Sequence, residues 1–173
     1  MSNDLAQRVA DVVRDAGGQV VGRTKLQKLI YLLVASGLEE DVHFVYKHYG
    51  PYSELAAEAA RSASLLGMLN EREELASWGG SYSIYSVAVA AANAGDSPRI
   101  ALLRLGRSAN SIELELAATA LFLFREEGVN DPWKETERRK PDKAAHGRLD
   151  GAKQLYQQIS AVRTPVALPN IGV

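Results

Sequence analysis

The sequence contains no cysteine. Disulfide bonds, cysteine nucleophiles and cysteine-based zinc sites are therefore excluded. Histidine is also scarce, because the three histidines, His43, His48 and His146, are scattered along the chain. This spacing argues against a histidine-rich metal site, and we expect no cofactor. The two tryptophans and seven tyrosines form no array for base stacking, so the sequence does not indicate single-strand nucleic-acid binding.

The chain lacks an excess of charge of either sign and a long hydrophobic run. Its formal net charge is −1, so no overall positive field attracts nucleic acid. The longest apolar stretch, 114–124, contains Glu115 and is shorter than the roughly 20 residues that span a membrane. The first residues show no basic and apolar signal segment. We expect a cytoplasmic protein with no membrane partner.

Hydrophobic residues make up 46% and charged residues 24% of the chain, as in ordinary globular proteins. Residues 1–87 predict two helices, an aromatic strand at 42–49, a Gly50-Pro51 turn, a third helix at 54–66 and a hairpin at 68–87. Thr24 is the predicted cap of the second helix, and Ser53 that of the third. This order of elements is typical of a winged helix-turn-helix.

The second half of the sequence is predicted to be helical after a linker at 88–96. A helix should begin at Ser97-Pro98 and break at 106–110. Asn110 caps the next helix, which is apolar on nearly every side over 112–124 and is predicted to be central and buried. A charged helix follows Pro132, and a last helix opens at Asp142. The fold class is thus mainly α with small β (α+β), comprising a winged-helix-like unit at 1–87, a helical part at 97–162 packed on it in one compact domain, and an extended tail at 163–173.

A basic motif opens the second helix. Its contact-capable side chains are Arg23, Lys25, Gln27, Lys28 and Tyr31. Three charges on a helix are usually only a solvated face. The free backbone N–H groups of a helix start nevertheless attract anions, and Gln27 and Tyr31 add polar groups. Since Leu26, Leu29, Ile30 and Leu33 supply the core face, we expect Lys25 and Lys28 to lie on the polar side and to serve binding rather than folding.

A second motif, Tyr49-Gly50-Pro51-Tyr52-Ser53, follows the predicted aromatic strand. A tight turn and a helix cap explain most of it without a ligand. His48 flanks the turn and is the best-placed histidine for proton transfer, but a lone histidine is more often part of the scaffold. The predicted binding surface combines the two motifs; it comprises Arg23, Lys25, Gln27, Lys28, Tyr31, His48, Tyr49, Gly50, Pro51, Tyr52 and Ser53.

Through these motifs the chain resembles the YwgA-like family of bacterial and archaeal proteins. The resemblance rests on the Gly-Arg-x-Lys-Leu-Gln-Lys helix from Gly22, on the turn ending at Ser53, and on segments 114–119 and 139–141. More distantly, the chain is similar to the Panacea (SocA-like) antitoxin domain, which implies neutralisation of a toxin or an adaptor role through protein contacts. The long C-terminal helical part departs from that domain. Neither resemblance implies a catalytic residue.

The third predicted helix argues against base reading. Glu54 and Glu58 would face phosphates, and residues 1–87 carry eight Lys and Arg against eleven Asp and Glu. The preferred interpretation is a non-enzymatic protein-interaction module, such as a regulator or an antitoxin-like protein. One alternative is a DNA-binding regulator acting through Arg23, Lys25 and Lys28. Another is a small-ligand or anion-binding protein, or an enzyme, that holds an anion near His48 and Tyr49.

Overall fold

A computed structural model describes residues 2–90 and 97–172 of the chain. The fold is mixed α+β, with 55% helix, 13% strand and small antiparallel sheets. The predicted fold class is confirmed at this level. Most of the predicted linker, residues 91–96, lies outside the described residues, so that prediction stays open.

Helices form both halves of the described chain. They are α1 (Ser2–Asp15), α2 (Arg23–Ala35), α3 (Glu54–Leu65), α4 (Pro98–Ser108), α5 (Ser111–Glu126), α6 (Pro132–Arg139), α7 (Pro141–Ala144) and α8 (Arg148–Ser160). Two predicted caps are confirmed. The Ser53 hydroxyl accepts a hydrogen bond from the Ala56 N–H at 3.2 Å. The Asn110 side chain accepts from the N–H groups of Ile112 and Glu113 at 2.9 and 3.3 Å.

The strands form two separate antiparallel sheets. They are β1 (Gln19–Val21), β2 (Val45–Lys47), β3 (Gly50–Tyr52), β4 (Asn70–Leu75) and β5 (Ser81–Ser86). The first sheet has the order β1-β5-β4, so the predicted hairpin of β4 and β5 is confirmed, and the short β1 segment is an edge strand. Its register places Val20 opposite Tyr85. In the second sheet β2 pairs with β3, with Lys47 opposite Gly50.

The aromatic strand and its turn differ from the prediction. Only Val45–Lys47 of the predicted strand at 42–49 is paired, and His48 and Tyr49 make the turn. Gly50 and Pro51 belong to β3. Proline has no N–H to donate, but a two-stranded ribbon leaves one side of each strand without a ladder, so Pro51 is tolerated there.

Two helix boundaries were also predicted wrongly. Gly22, not Thr24, caps α2; its φ of +101° is a conformation that glycine adopts easily, and its carbonyl accepts from Leu26 N–H. The predicted break at 106–110 is confirmed, because α4 ends at Ser108 and α5 begins at Ser111. Gly106 itself lies within α4, where a Cβ would meet Leu29 Cδ2 at 2.5 Å. The last predicted helix is split into α7 and α8, where Gly147 adopts a φ of +77°.

One hydrophobic core joins residues from both halves of the chain. Helices α2 and α5 lie at its centre, with Leu29, Leu33, Leu116 and Leu121 fully shielded from solvent. Helix α5 is indeed the buried helix that its all-round apolar pattern predicts. The tail also packs on this core, because Ile171 is only 3% exposed.

Leu29→Ala should destabilise the fold by about 2–5 kcal/mol, since it removes a fully buried side chain that packs against Gly106 of α4. The measurement is equilibrium unfolding in urea. Leu65→Ala is the matched control: Leu65 is 88% exposed, and a change within about 0.5 kcal/mol is expected. Equal losses in the two variants would show that the core of α2 is assigned wrongly.

Candidate functional site

All members of the basic motif of α2 except Arg23 are buried, so Lys25 and Lys28 do not lie on a solvated polar face as predicted. Lys25 is 9%, Gln27 6% and Lys28 1% exposed. The prediction was wrong because it treated α2 as a surface helix with one apolar stripe. Neighbouring elements instead cover α2 on several sides, and they provide backbone carbonyls that accept hydrogen bonds from its polar side chains.

Lys25 holds the end of α4. Its Nζ donates to the backbone carbonyls of Arg107 and Ala109, at 2.8 and 2.7 Å. The last carbonyls of a helix have no partner within the helix and carry partial negative charge, so an ammonium group stabilises them. Lys25 therefore joins the two halves of the chain.

Gln27 joins α2 to the start of α3. Its amide donates to the Ser53 carbonyl and accepts from the Ser53 N–H, both at 2.9 Å. Ser53 is only 1% exposed, so these backbone groups have little access to water. The paired bonds satisfy both of them, as buried backbone groups require. Gln27 and Ser53 therefore have structural roles that explain their burial.

Lys28 lies in a cluster of buried charges. Its Nζ donates to the Pro51 carbonyl at 2.8 Å. Glu115 of α5, only 3% exposed, accepts from Lys140 at 2.9 Å and from Lys143 at 2.7 Å. Lys140 also donates to the His48 carbonyl at 2.6 Å. The cluster thus ties the β2–β3 ribbon to α5 and to the segment that joins α6 and α7.

The environment of Lys28 disfavours its charged form. Burial lowers the pKa of Lys28 to about 7; the ammonium groups of Lys140 and Lys143 act in the same direction, and Glu115 opposes them. Burial also lowers the pKa of Lys25, with a further contribution from Arg107. An amine that loses its charge near neutral pH still donates to a carbonyl, so the Pro51 bond survives deprotonation.

Arg23 and Tyr31, the other members of the first motif, occupy opposite environments. Arg23 is exposed and pairs with Glu71 and Glu73 of β4, each at 3.1 Å. Tyr31 is 4% exposed, and its ring packs edge-on against Phe44 at 5.2 Å between centroids. Burial raises the pKa of Tyr31 strongly. Only Arg23 of the α2 motif thus retains a large exposed surface.

The second motif contributes one well-exposed side chain. Tyr49 is 58% exposed, and the Lys143 ammonium lies 4.4 Å from the centroid of its ring. Tyr52 is half-buried beneath Lys47, while Pro51 is buried. Gly50 has a φ of +83°, and a Cβ there would approach Thr119 Oγ1 to 2.4 Å. His48 is exposed, and its backbone carbonyl accepts a hydrogen bond from Lys140.

A groove beside the hairpin is lined by exposed apolar side chains, two of which, Leu75 and Trp78, are not part of the predicted binding surface. This hairpin groove, of about 920 Å³, lies between the β4–β5 hairpin and the starts of α2 and α5. Leu75 is 85% and Trp78 75% exposed, and both line it together with Tyr49. The Trp78 ring lies across Gly80, where an added Cβ would come within 1.6 Å of it.

Two signals in the sequence could have revealed these features. Glu115 interrupts the apolar run 114–124, and a carboxylate inside a buried helix requires a cationic partner. Trp78 lies beside Gly79-Gly80 at a predicted hairpin turn, where an aromatic side chain has little core to pack against. The partners of Glu115 could not be predicted, because Lys140 and Lys143 are far from it in sequence.

Over residues 2–90 and 97–172, no group of three or more His, Cys, Asp or Glu residues is arranged to hold a metal ion. None of the described helices is long and apolar enough to cross a membrane. No protein-family model matches the chain, and no curated protein matches it either.

The depressed pKa of Lys28 predicts a specific pH dependence of stability. Between pH 7 and about 10, Lys28 is neutral in the folded state but charged in the unfolded state, so the unfolded state binds more protons and the free energy of unfolding rises with pH. Lys28→Met removes this contribution. The stability of wild type relative to Lys28→Met should increase from pH 7 to 9, by up to about 1.4 kcal/mol per pH unit.

The measurement is urea unfolding of both proteins at several pH values. Lys47→Met is the control, because Lys47 is exposed in β2; its difference from wild type should not change over the same range. Parallel stability curves for wild type and Lys28→Met would contradict the burial of a neutral amine at Lys28.

Proposed function

We propose that the protein is a non-enzymatic protein-interaction module and that the hairpin groove is its contact surface. The observation that supports this most directly is the exposure of Leu75, Trp78 and Tyr49 along one groove. Contiguous exposed apolar side chains are costly in a monomer and typically mark interaction sites. Tryptophan and tyrosine are also the residues that most often dominate binding energy at protein interfaces.

The charges beside the groove are paired within the protein. Glu73 lines the groove and pairs with Arg23 at 3.1 Å, and the next carboxylate on β4, Glu74, pairs with Arg72 at 3.0 Å. Apolar contact rather than charge is therefore the proposed basis of recognition. We commit to a partner protein that inserts apolar side chains into the groove against Leu75 and Trp78.

The proposal includes a winged-helix-like arrangement for the N-terminal unit, with α2 and α3 as the paired helices and the β4–β5 hairpin as the wing. DNA binding through Arg23, Lys25 and Lys28 is the less favoured reading. Two of these cations are buried against backbone carbonyls, and Arg23 already pairs with Glu71 and Glu73. An apolar wing tip suits a protein surface better than phosphates, which require exposed cations.

The resemblance to antitoxin-like proteins suggests the kind of partner that we propose: a toxin or another regulated protein.

Wild-type protein with an affinity tag is used to capture partners from the source cells. The main captured protein is identified, purified and titrated calorimetrically. Trp78→Ala should weaken this purified complex at least tenfold, or about 1.4 kcal/mol, while leaving the melting temperature unchanged.

Leu65→Ser is the matched control, because Leu65 is as exposed as Leu75 but does not line the groove. It should bind like wild type, whereas Leu75→Ser should not. Gly80→Ala tests the placement of Trp78 without removing it and should also weaken binding. Equal affinities of wild type and Trp78→Ala would refute the proposal. So would dimerisation of the wild type that Trp78→Ala abolishes, since the groove would then bind a second copy.

A further inference from the structure

A second cavity lies between α2 and α3 and is distinct in character from the hairpin groove. This α2–α3 cavity measures about 320 Å³ and is more enclosed than the hairpin groove. Its volume lies at the lower end of the range typical of small-molecule sites, about 300–1,000 Å³. It therefore suits a small organic molecule rather than a protein segment.

The alanine-rich sequence of α3 creates this space. Ala56, Ala57 and Ala60 line the cavity on one side, and Leu26 and Ile30 of α2 line it on another. Ala56 and Ala60 are 1% and 4% exposed, so they face the interior although their side chains are too short to fill it. Folded interiors are normally close-packed. The alanines thus leave an apolar space in the α2–α3 cavity that larger side chains would have filled.

Two arginines lie at the mouth of the α2–α3 cavity. Arg23 and Arg61 line the cavity, with side chains 66% and 62% exposed, so their guanidinium groups lie at its solvent end. Tyr52 lies within reach of both charges: burial and Glu54 raise the pKa of its hydroxyl, and Arg61 and Arg23 oppose this. Arg61 has a long contact of 3.9 Å with Glu54, which leaves it available to a ligand.

We propose that the α2–α3 cavity binds a small monocarboxylate with an apolar body. The apolar part would pack against the alanines of α3, and the carboxylate would bind Arg61, with Arg23 and the Tyr52 hydroxyl beside it. Arginine suits this role because its planar fork donates two hydrogen bonds to a carboxylate. Arg61 is the proposed anchor because Arg23 is already paired with Glu71 and Glu73 and Lys28 donates to the Pro51 carbonyl, whereas the contact between Arg61 and Glu54 is long, at 3.9 Å.

The test uses benzoate and hexanoate as carboxylate probes and benzyl alcohol as their neutral counterpart. Binding is followed by backbone amide chemical shifts in ¹⁵N-labelled full-length protein. Saturable chemical-shift changes are expected for residues of α2 and α3 with at least one carboxylate. Benzyl alcohol should bind at least about fivefold more weakly than that carboxylate. Arg61→Gln should remove this preference for the carboxylate. Ala57→Leu, which fills the cavity, should abolish binding of both kinds of probe.

Two control variants keep the result specific. Ala101→Leu makes the same change at an exposed position of α4, and Arg72→Gln removes an exposed arginine that does not line the cavity. Both should bind the carboxylates like wild type. The inference is overturned if neither carboxylate gives saturable shifts, if benzyl alcohol binds equally well, or if Ala57→Leu binds like Ala101→Leu. None of these outcomes bears on the hairpin groove, which is measured with a protein partner.

Discussion

The burial of α2 is the constraint on which the rest of the structure depends. A helix covered on several sides cannot leave its lysine and glutamine side chains in water, so each of these needs a partner inside the fold. Lys25 finds it at the end of α4, Gln27 at the start of α3, and Lys28 at β3. The same bonds fix the positions of these three elements around α2. Lys25, Gln27 and Lys28 of the basic motif therefore hold these elements together through hydrogen bonds inside the fold.

A second consequence concerns where binding can occur. Because the lysines of α2 are bonded internally, the two proposed sites lie elsewhere, one at the apolar tip of the β4–β5 hairpin and one at the α2–α3 cavity beside Arg61. Arg23 lies at the junction of the two, since it lines both the hairpin groove and the α2–α3 cavity. A partner in the groove and a small anion in the cavity would share this side chain, which offers a physical basis for coupling between the two proposed sites.

The sequence predicts local structure well where residues close together in the chain determine it. Ser53 and Asn110 are caps as predicted, and the hairpin and the central helix α5 form where their patterns indicate. The sequence predicts the site less well, because exposure depends on distant neighbours. Nothing near Lys25 in sequence indicates the carbonyls of Arg107 and Ala109. Likewise, the apolar tip of the β4–β5 hairpin at Trp78 becomes a candidate site only when the exposure of Trp78 and the groove that it lines are known.

The central claim, that the lysines of α2 are internal, is tested most directly by acylation of amines followed by mass spectrometry. In the native protein, Lys25 and Lys28 should react far more slowly than the exposed Lys47 and Lys134, and all four should react alike in denaturant. The test is stringent for Lys28, because an amine with a pKa of about 7 would be highly nucleophilic if reagent could reach it. Modification of Lys25 and Lys28 at the rate of Lys47 would contradict the account.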